Sequence, residues 1–306
     1  MASAVVFAYH NVGYRCLSVL LAQGVDVRLL VTHQDNPNET IWFDSVAQLA
    51  GWHGIPVITP DDPNCDEVVA QVKAAQPDFI FSFYYRNMLK APLLAIPPRG
   101  AYNMHGSLLP KYRGRVPVNW AIIHGESETG ATLHVMNEKP DNGALVDQQA
   151  IPILPDDTAK EVFDKVTVAA EITLHRCLPA LLAGTATLQV QDLSKGGYFG
   201  GRKAEDGRID WQQSAAQIHN LIRAVAPPYP GAFADIKGQQ LRLLRTRQIA
   251  GDGLPTFAVP TLFVQEHQLY LRAGDGHYLQ LLQCHLNQQM LDATSFVSHF
   301  GAVFTL

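Results

Sequence analysis

The chain has 306 residues, of which 47% are hydrophobic and 17% are charged, and its formal net charge is −5. This length favours two cores over one, and the apolar content is too high for an extended disordered protein. The 23 basic side chains are outnumbered by 28 acidic ones, which provides no electrostatic footprint for nucleic acid. The four cysteines stand far apart without a C-x-x-C pair, so we expect neither a zinc knuckle nor a disulfide framework.

The N-terminus lacks the basic start and the long apolar segment of a signal peptide. We also find no later run of about 18 uncharged apolar residues, which is the length that a membrane span requires. Together with the unpaired cysteines, these features predict a protein of the reducing cytoplasm with no membrane partner.

Short apolar runs alternate with helix-like segments over the first hundred residues. The helix-like segments carry apolar residues at spacings of three and four and end at Gly or before Pro. This alternation predicts a parallel sheet with helices on both faces, in which ligands gather at the carboxyl ends of the strands. The predicted strands are 4–10, 25–33, 55–60 and 78–85, and the predicted helices are 14–24, 43–54 and 66–77.

The later part of the chain changes its pattern twice. Residues 100–105 predict another short strand, and residues 157–184 predict one long helix. Residues 131–153, with a turn at "PDNG", predict a hairpin or a strand with a bulged return. A Gly-rich crossing segment at 194–202 precedes alternating runs that Gly and Pro separate, at 231–250, 261–274 and 276–286. The fold class that this order predicts is α/β: a Rossmann-like, doubly wound, mainly parallel sheet over residues 1–203, followed by a smaller β-rich, OB-like domain over residues 204–306.

Polar and rigid residues are concentrated in "GAYNMHGSLLPKYRGRVP", residues 100–117, directly after an apolar run. Asn103 and His105 are two apart on the predicted strand, so both side chains face the same side of the sheet. Pro110 and Pro117 restrict the backbone of the following loop, and Gly114 can adopt conformations that other residues avoid. The stretch is therefore suited to a preformed loop beside a polar site.

The same stretch resembles the N-x-H and S-L-L-P-x-x-R-G signature of the folate-dependent formyltransferases. The resemblance extends from "VVFAYH" through "FSFYYRNML" and "KPDNGALV" to "RAVAPPYPGAF", which is most of the chain. It implies that 10-formyltetrahydrofolate is the formyl donor and that Asn103, His105 and Asp141 are the catalytic residues. The positions that it assigns to folate binding are Asn87, Met88, Leu89, Arg115, Asn137, Glu138, Lys139, Pro140 and Asp141.

These residue types suit formyl transfer to an amine, which passes through a tetrahedral intermediate with negative charge on the former carbonyl oxygen. The Asn103 amide and the His105 imidazole are donors that can face this oxygen. The imidazole can also move the proton that the attacking amine loses. A carboxylate such as Asp141 would stabilise the protonated ring and fix its orientation.

Three classes of formyl acceptor occur in this family: glycinamide ribonucleotide, methionyl-tRNA and amino sugars on nucleotides. Residues 33–45 contain acidic but no basic side chains, which disfavours transfer RNA, and the β-rich residues 207–306 disfavour the shorter ribonucleotide enzymes. The resemblance implies a UDP-linked amino sugar, with UDP-4-amino-4-deoxy-L-arabinose first. Methionyl-tRNA formyltransferase and formyltetrahydrofolate hydrolase remain open alternatives, as does the oligomeric state.

We expect no metal cofactor, because the twelve histidines show neither an H-x-x-x-H helix nor paired-cysteine spacing.

Overall fold

The computed structural model describes residues 1–306, and its elements follow the alternation that the sequence predicts. The elements of the first half are β1 (Ser3–Ala8), α1 (His10–Ala22), β2 (Asp26–Val31), α2 (Val46–Trp52), β3 (Val57–Ile58), α3 (Asp66–Ala74), β4 (Phe79–Phe83), α4 (Ala91–Leu94), β5 (Ala101–His105), β6 (Arg113–Gly114), α5 (Pro117–Ile123), β7 (Glu128–Val135) and β8 (Leu145–Pro152). The second half contains α6 (Ala159–Ala183), β9 (Tyr198–Phe199), α7 (Ala215–Ala224), β10 (Ala232–Ile236), β11 (Gln239–Ile249), β12 (Thr261–Gln265), β13 (Gln268–Arg272), β14 (Tyr278–Leu286), β15 (Gln289–Met290), α8 (Ala293–Phe300) and β16 (Val303–Thr305).

The contacts divide the chain into two compact units. The first comprises residues 1–117, 128–152 and 163–200, and the second comprises residues 118–127, 153–162 and 201–306.

A seven-stranded sheet organises the first unit, with the strand order β3-β2-β1-β4-β5-β7-β8. The five strands from β3 to β5 are parallel, whereas β7 pairs antiparallel with β5 and β8 pairs antiparallel with β7. The sequence order reverses between β1 and β4, and in doubly wound sheets ligands bind beside the carboxyl ends of the strands at such a point. The predicted Rossmann-like, mainly parallel sheet is confirmed.

The prediction of a strand over residues 4–10 was wrong at its end. β1 stops at Ala8, and α1 begins at His10, whose φ of 67° breaks the extended backbone. The helix also begins four residues before the predicted start at residue 14. Gly13 makes this possible, because a Cβ there would lie only 3.1 Å from the Cβ of Ala8, so the helix approaches the strand closely.

The predicted hairpin and the predicted long helix are both confirmed. β7 and β8 pair antiparallel around the turn at "PDNG", and α6 runs from Ala159 to Ala183. Thr158 and Glu161 exchange hydrogen bonds at the start of this helix, as in a capping box. By length and composition α6 could cross a membrane, but half of its most apolar window is buried in the fold, as in a core helix.

The second unit is built on an antiparallel sheet in the order β10-β11-β14-β13-β12-β16, with β15 beside β14. The hydrophobic core on this sheet includes Ile218 and Ile222 of α7 and Phe296 and Phe300 of α8. The sheet confirms the predicted β-rich domain. The sequence analysis did not predict the short helices α4, α5, α7 and α8. Each of them has one or more buried residues.

Candidate active site

The polar pair on β5 lies in the middle of the first sheet. Asn103 is in register with Ser82 of β4 on one side and with His134 of β7 on the other. His105 is the last residue of β5 and is only 6% exposed. Since β5 is flanked on both sides, the backbone fixes the positions from which both side chains project.

Asp141 lies in the turn between β7 and β8, with a φ of 56°. Its Oδ1 is 3.5 Å from His105 Nδ1, and its Oδ2 accepts a hydrogen bond of 2.8 Å from the backbone N–H of Gly114. Burial opposes ionisation of this carboxyl, but the neighbouring His105 and His134 imidazoles and the Gly114 N–H outweigh it. The pKa of Asp141 is therefore held well below its usual range.

The structure brings together the three residues that were predicted to be catalytic. The His105 imidazole bridges two groups: its Nε2 lies 2.8 Å from the carbonyl oxygen of Tyr112, and its Nδ1 faces Asp141. A carbonyl only accepts, so Nε2 is the nitrogen that carries hydrogen here. The Asn103 amide reaches the same carboxylate through a fourth residue, His134.

His134 is a site residue that the sequence analysis missed, because it considered this histidine only as a metal ligand. Its Nε2 lies 3.2 Å from Asn103 Nδ2 and 3.4 Å from Asp141 Oδ1, and its Nδ1 lies 2.9 Å from the carbonyl oxygen of Val135. The side chain is 2% exposed. An alternating strand pattern with a His on its buried face, directly before the turn of Asp141, was the signal in the sequence.

Two side chains hold the turn that carries Asp141. Gln191 donates from its Nε2 to the carbonyl oxygens of Asp141 and Gly143, at 2.9 and 2.7 Å. Arg113 donates to the side-chain oxygen of Asn142 at 2.9 Å. The turn is thereby fixed at its backbone on both sides of the carboxylate.

The loop after β5 is also held in place. Gly114 pairs with Phe199 in the small sheet of β6 and β9. Its φ is 98°, and a Cβ at this position would overlap the Phe199 carbonyl oxygen, so only glycine fits here. The Ser107 hydroxyl donates to the Lys111 carbonyl, and the Thr132 hydroxyl donates to the Ser107 carbonyl, both at 2.6 Å. This network supports the prediction of a preformed loop.

The segments that were predicted to bind folate lie at two ends of the sheet beside this site. Residues 87–89 follow β4, where Met88 is 51% exposed and Leu89 is buried. Residues 137–141 follow β7, and Met136 just before them packs against the core cluster that contains Leu89. Arg115 is exposed, and its backbone N–H donates to the Phe199 carbonyl.

Aromatic side chains surround His10 at the carboxyl end of β1. Its ring centroid lies 4.0 Å from that of Phe43, 4.5 Å from that of Trp42 and 4.6 Å from that of Phe163. The Asn11 side-chain oxygen accepts a hydrogen bond from the backbone N–H of Asp44, which holds the same loop against α1. The sequence analysis predicted that ligands gather at the carboxyl ends of the strands, but it did not predict this cluster.

The acidic loop after β2 is tied to the residues after β4. Glu39 forms two hydrogen bonds with Arg86, at 2.9 and 2.8 Å, and the Tyr9 hydroxyl donates to Asp35 at 2.7 Å. His33 stacks on Tyr85 and accepts the backbone N–H of Arg86. Burial, with the nearby Arg86 charge, lowers the pKa of His33 to about 4, and burial raises the pKa of Tyr85 to about 12.

Solved structures with a similar fold cover most of the chain. An N-formyltransferase from Helicobacter canadensis, in complex with folinic acid and dTDP-3-aminofucose, superposes with a TM-score of 0.72 at 19% identity, covering 95% of this chain and all of that one. A 4-N formyltransferase from Francisella tularensis has a TM-score of 0.64 at 20% identity, with 78% and 95% covered. HypX from Aquifex aeolicus has a TM-score of 0.63 at 15% identity, with 97% of this chain and 47% of that one covered.

Two family models match the sequence itself. The model described as "Formyl transferase" matches residues 20–178, and the model described as "Formyl transferase, C-terminal domain" matches residues 202–301. The first match alone spans more than half of the chain and contains Asn103, His105, His134 and Asp141. The chain therefore belongs to the formyltransferase family and is an N-formyltransferase.

Proposed function

We propose that this enzyme transfers a formyl group from 10-formyltetrahydrofolate to the amine of a UDP-linked amino sugar, with UDP-4-amino-4-deoxy-L-arabinose as the first candidate. The observation that carries the proposal is the convergence of Asn103 and His105 of β5 with Asp141 of the turn between β7 and β8. An amide donor, an imidazole and a buried carboxylate can together supply the oxyanion stabilisation and the proton transfer that acyl transfer to an amine needs.

The reaction follows from the chemistry of these groups. The sugar amine attacks the formyl carbon, the carbonyl oxygen gains negative charge, and an N–H of Asn103 donates to it. His105 moves the proton that the amine loses to the folate nitrogen as its bond to the formyl carbon breaks. Asp141 stabilises the protonated ring across the 3.5 Å between its Oδ1 and His105 Nδ1. The products are the formamido sugar and tetrahydrofolate.

The residues beside the site fit a folate. The half-exposed Met88 offers an apolar surface for a pterin ring next to the buried Leu89. Asn64 donates to the Met88 carbonyl, and Asn87 donates to the Asp61 carbonyl, so this loop is held before any ligand arrives. Asn87 to Leu89 and Asn137 to Asp141 would then hold the ring, and the exposed Arg115 would meet the anionic glutamate tail.

The acceptor is inferred from charge and likeness. Asp35, Glu39 and Asp44 occupy the loop after β2, where a polyanion would need cations. The sequence resembles the formyltransferase half of the bifunctional polymyxin-resistance protein ArnA, which implies a UDP-sugar and a role in modifying lipopolysaccharide or lipid A. The similar structure from Helicobacter canadensis contains a dTDP-linked 3-amino sugar, so a dTDP-sugar is the competing acceptor.

We place the boundary between the catalytic domain and the C-terminal domain at residues 203 and 204. The family match to the C-terminal domain begins at residue 202, close to this position. We also place the enzyme in the cytoplasm, which the four free cysteines support.

The test is a product assay with purified protein and 10-formyltetrahydrofolate. The candidate acceptors are UDP-4-amino-4-deoxy-L-arabinose, a dTDP-linked 3-amino sugar, methionyl-tRNA and water alone, and mass spectrometry identifies the formylated product. Formylation of the UDP-sugar with the highest kcat/KM supports the proposal. Preference for the dTDP-sugar or the tRNA, or release of tetrahydrofolate without any acceptor, would contradict it.

Variants test the residue roles in the same assay. We expect Asn103→Ala and His105→Ala each to lower kcat by about two orders of magnitude or more, because each removes a group that acts in the transition state. His53→Ala, at an exposed histidine beyond α2, is the matched control and should retain full activity. Near-normal turnover in either site variant would exclude that residue from the mechanism.

A further inference from the structure

His134 contacts two of the three proposed catalytic residues and is itself almost fully buried. Its Nε2 lies 3.2 Å from the Asn103 amide nitrogen and 3.4 Å from Asp141 Oδ1. The resemblance to known formyltransferases assigned it no role in the sequence analysis. A buried polar ring between an amide and a carboxylate needs a hydrogen-bonding reason for its position.

The backbone decides which ring nitrogen carries hydrogen. His134 Nδ1 lies 2.9 Å from the carbonyl oxygen of Val135, and a carbonyl can only accept. Nδ1 is therefore the protonated nitrogen of the neutral ring, and Nε2 presents a lone pair. This lone pair points to the Asn103 amide, whose nitrogen is the donor.

The amide nitrogen of Asn103 has two hydrogens, and His134 engages one of them. The second hydrogen and the carbonyl oxygen of the amide are then fixed in direction, because the amide is planar. Without this partner the amide can rotate by half a turn and present its oxygen instead of its nitrogen to the substrate. An oxygen there would repel the oxyanion that the reaction forms.

We propose that His134 is a positioning residue for formyl transfer: its neutral ring, with hydrogen on Nδ1, holds the Asn103 amide so that one N–H remains directed at the formyl oxygen. This inference rests on the proposed role of Asn103 as the oxyanion donor. Asp141 limits this role to the neutral ring. A proton added to Nε2 would be donated to the Asp141 carboxylate, 3.4 Å away, and His134 would no longer accept the hydrogen bond from the amide.

Three variants separate positioning from structure. His134→Phe fills the space but accepts no hydrogen bond, so kcat should fall about tenfold to a hundredfold, with the KM for formyl-folate within about threefold. His134→Gln offers a side-chain oxygen to the amide and should keep kcat within about tenfold of the wild type. A purely structural role would instead lower activity and thermal stability together in both variants.

The double variant Asn103→Ala/His134→Phe shows whether His134 acts through Asn103. If it does, adding His134→Phe to Asn103→Ala should change kcat by less than about threefold, because the amide that it positions is gone. Independent, multiplicative losses in the double variant would overturn the proposal.

Nitrogen NMR of the free enzyme gives a readout without substrate. Long-range ¹H–¹⁵N spectra at pH 8 should show His134 as the neutral tautomer with hydrogen on Nδ1. A ring with hydrogen on Nε2 would overturn the inference even if His134→Phe fails to fold. If the wild type formylates no amino-sugar nucleotide, the proposed function fails. The His134 tautomer and the hydrogen bonding of the Asn103 side-chain amide can still be measured on the same sample, so they test this inference separately.

Discussion

Replacing Asp141 with Asn tests how much the buried carboxylate contributes to turnover. The change preserves the size of the side chain and an oxygen for the Gly114 N–H, but it removes the charge that faces the imidazoles. Coulomb's law with an effective dielectric constant of about 20 gives about 5 kcal/mol for unit charges separated by the observed 3.5 Å. Desolvation of the carboxylate offsets part of this energy, so we expect kcat to fall about a hundredfold to a thousandfold, which corresponds to about 3 to 4 kcal/mol.

The assay measures kcat and KM for formyl-folate in the wild type and in Asp141→Asn, with circular dichroism as the check on folding. Asp66→Asn is the matched control, because Asp66 is an exposed carboxylate in the first turn of α3. The control should remain within about twofold of the wild type. A kcat for Asp141→Asn within about threefold of the wild type would refute the idea that this charge stabilises the protonated His105 during the reaction.

The same carboxylate makes stability depend on pH. Its pKa in the folded protein lies below the unfolded value of about 3.9, so its contribution to stability is complete above that value and decreases as pH falls towards the folded pKa. Urea unfolding measures the free energy of unfolding of the wild type and of Asp141→Asn between pH 6 and pH 3.5. The difference between the two proteins should be constant near pH 6 and should decrease towards pH 3.5. A difference that widens on acidification would contradict the sign.

Further predictions concern the neighbours of the site. Gly106→Ala places a Cβ against the Tyr84 hydroxyl, so the free energy of unfolding in urea should fall by about 1–3 kcal/mol, and adding Tyr84→Phe should restore part of it. An unchanged urea midpoint would show that the Tyr84 ring moves aside at no cost. His33 should titrate near pH 4 in NMR spectra, and Arg86→Gln should raise its pKa towards the ordinary value; unchanged titration would exclude the charge effect. Gln191→Ala removes two hydrogen bonds to the turn after β7 and should raise the KM for formyl-folate several-fold. An unchanged KM would show that the turn keeps its conformation without Gln191.

The sequence predicted long periodic elements well and short ones poorly. α6 and the strands of the first sheet have patterns that local hydrophobic spacing specifies, and the "PDNG" turn has its own backbone chemistry. β3 contains only Val57 and Ile58 of the predicted strand 55–60, because only these two residues pair with β2. The sequence does carry signals for α7, which the sequence analysis did not use: Ser214 and Gln217 form a capping box, and Ile218 and Ile222 lie four residues apart on its buried face.

The sequence by itself determined the α/β class, the family and the face of β5 from which Asn103 and His105 project. The class and the face of β5 follow from local periodicity, and the family follows from the resemblance of residues 103–117 to the formyltransferase signature. Only the tertiary structure decided that His134 lies between the Asn103 amide and the Asp141 carboxylate, and that Gln191 holds the turn of Asp141 from fifty residues away. Such contacts join residues distant in sequence, and strand register and chain packing, which no local pattern encodes, set their distances.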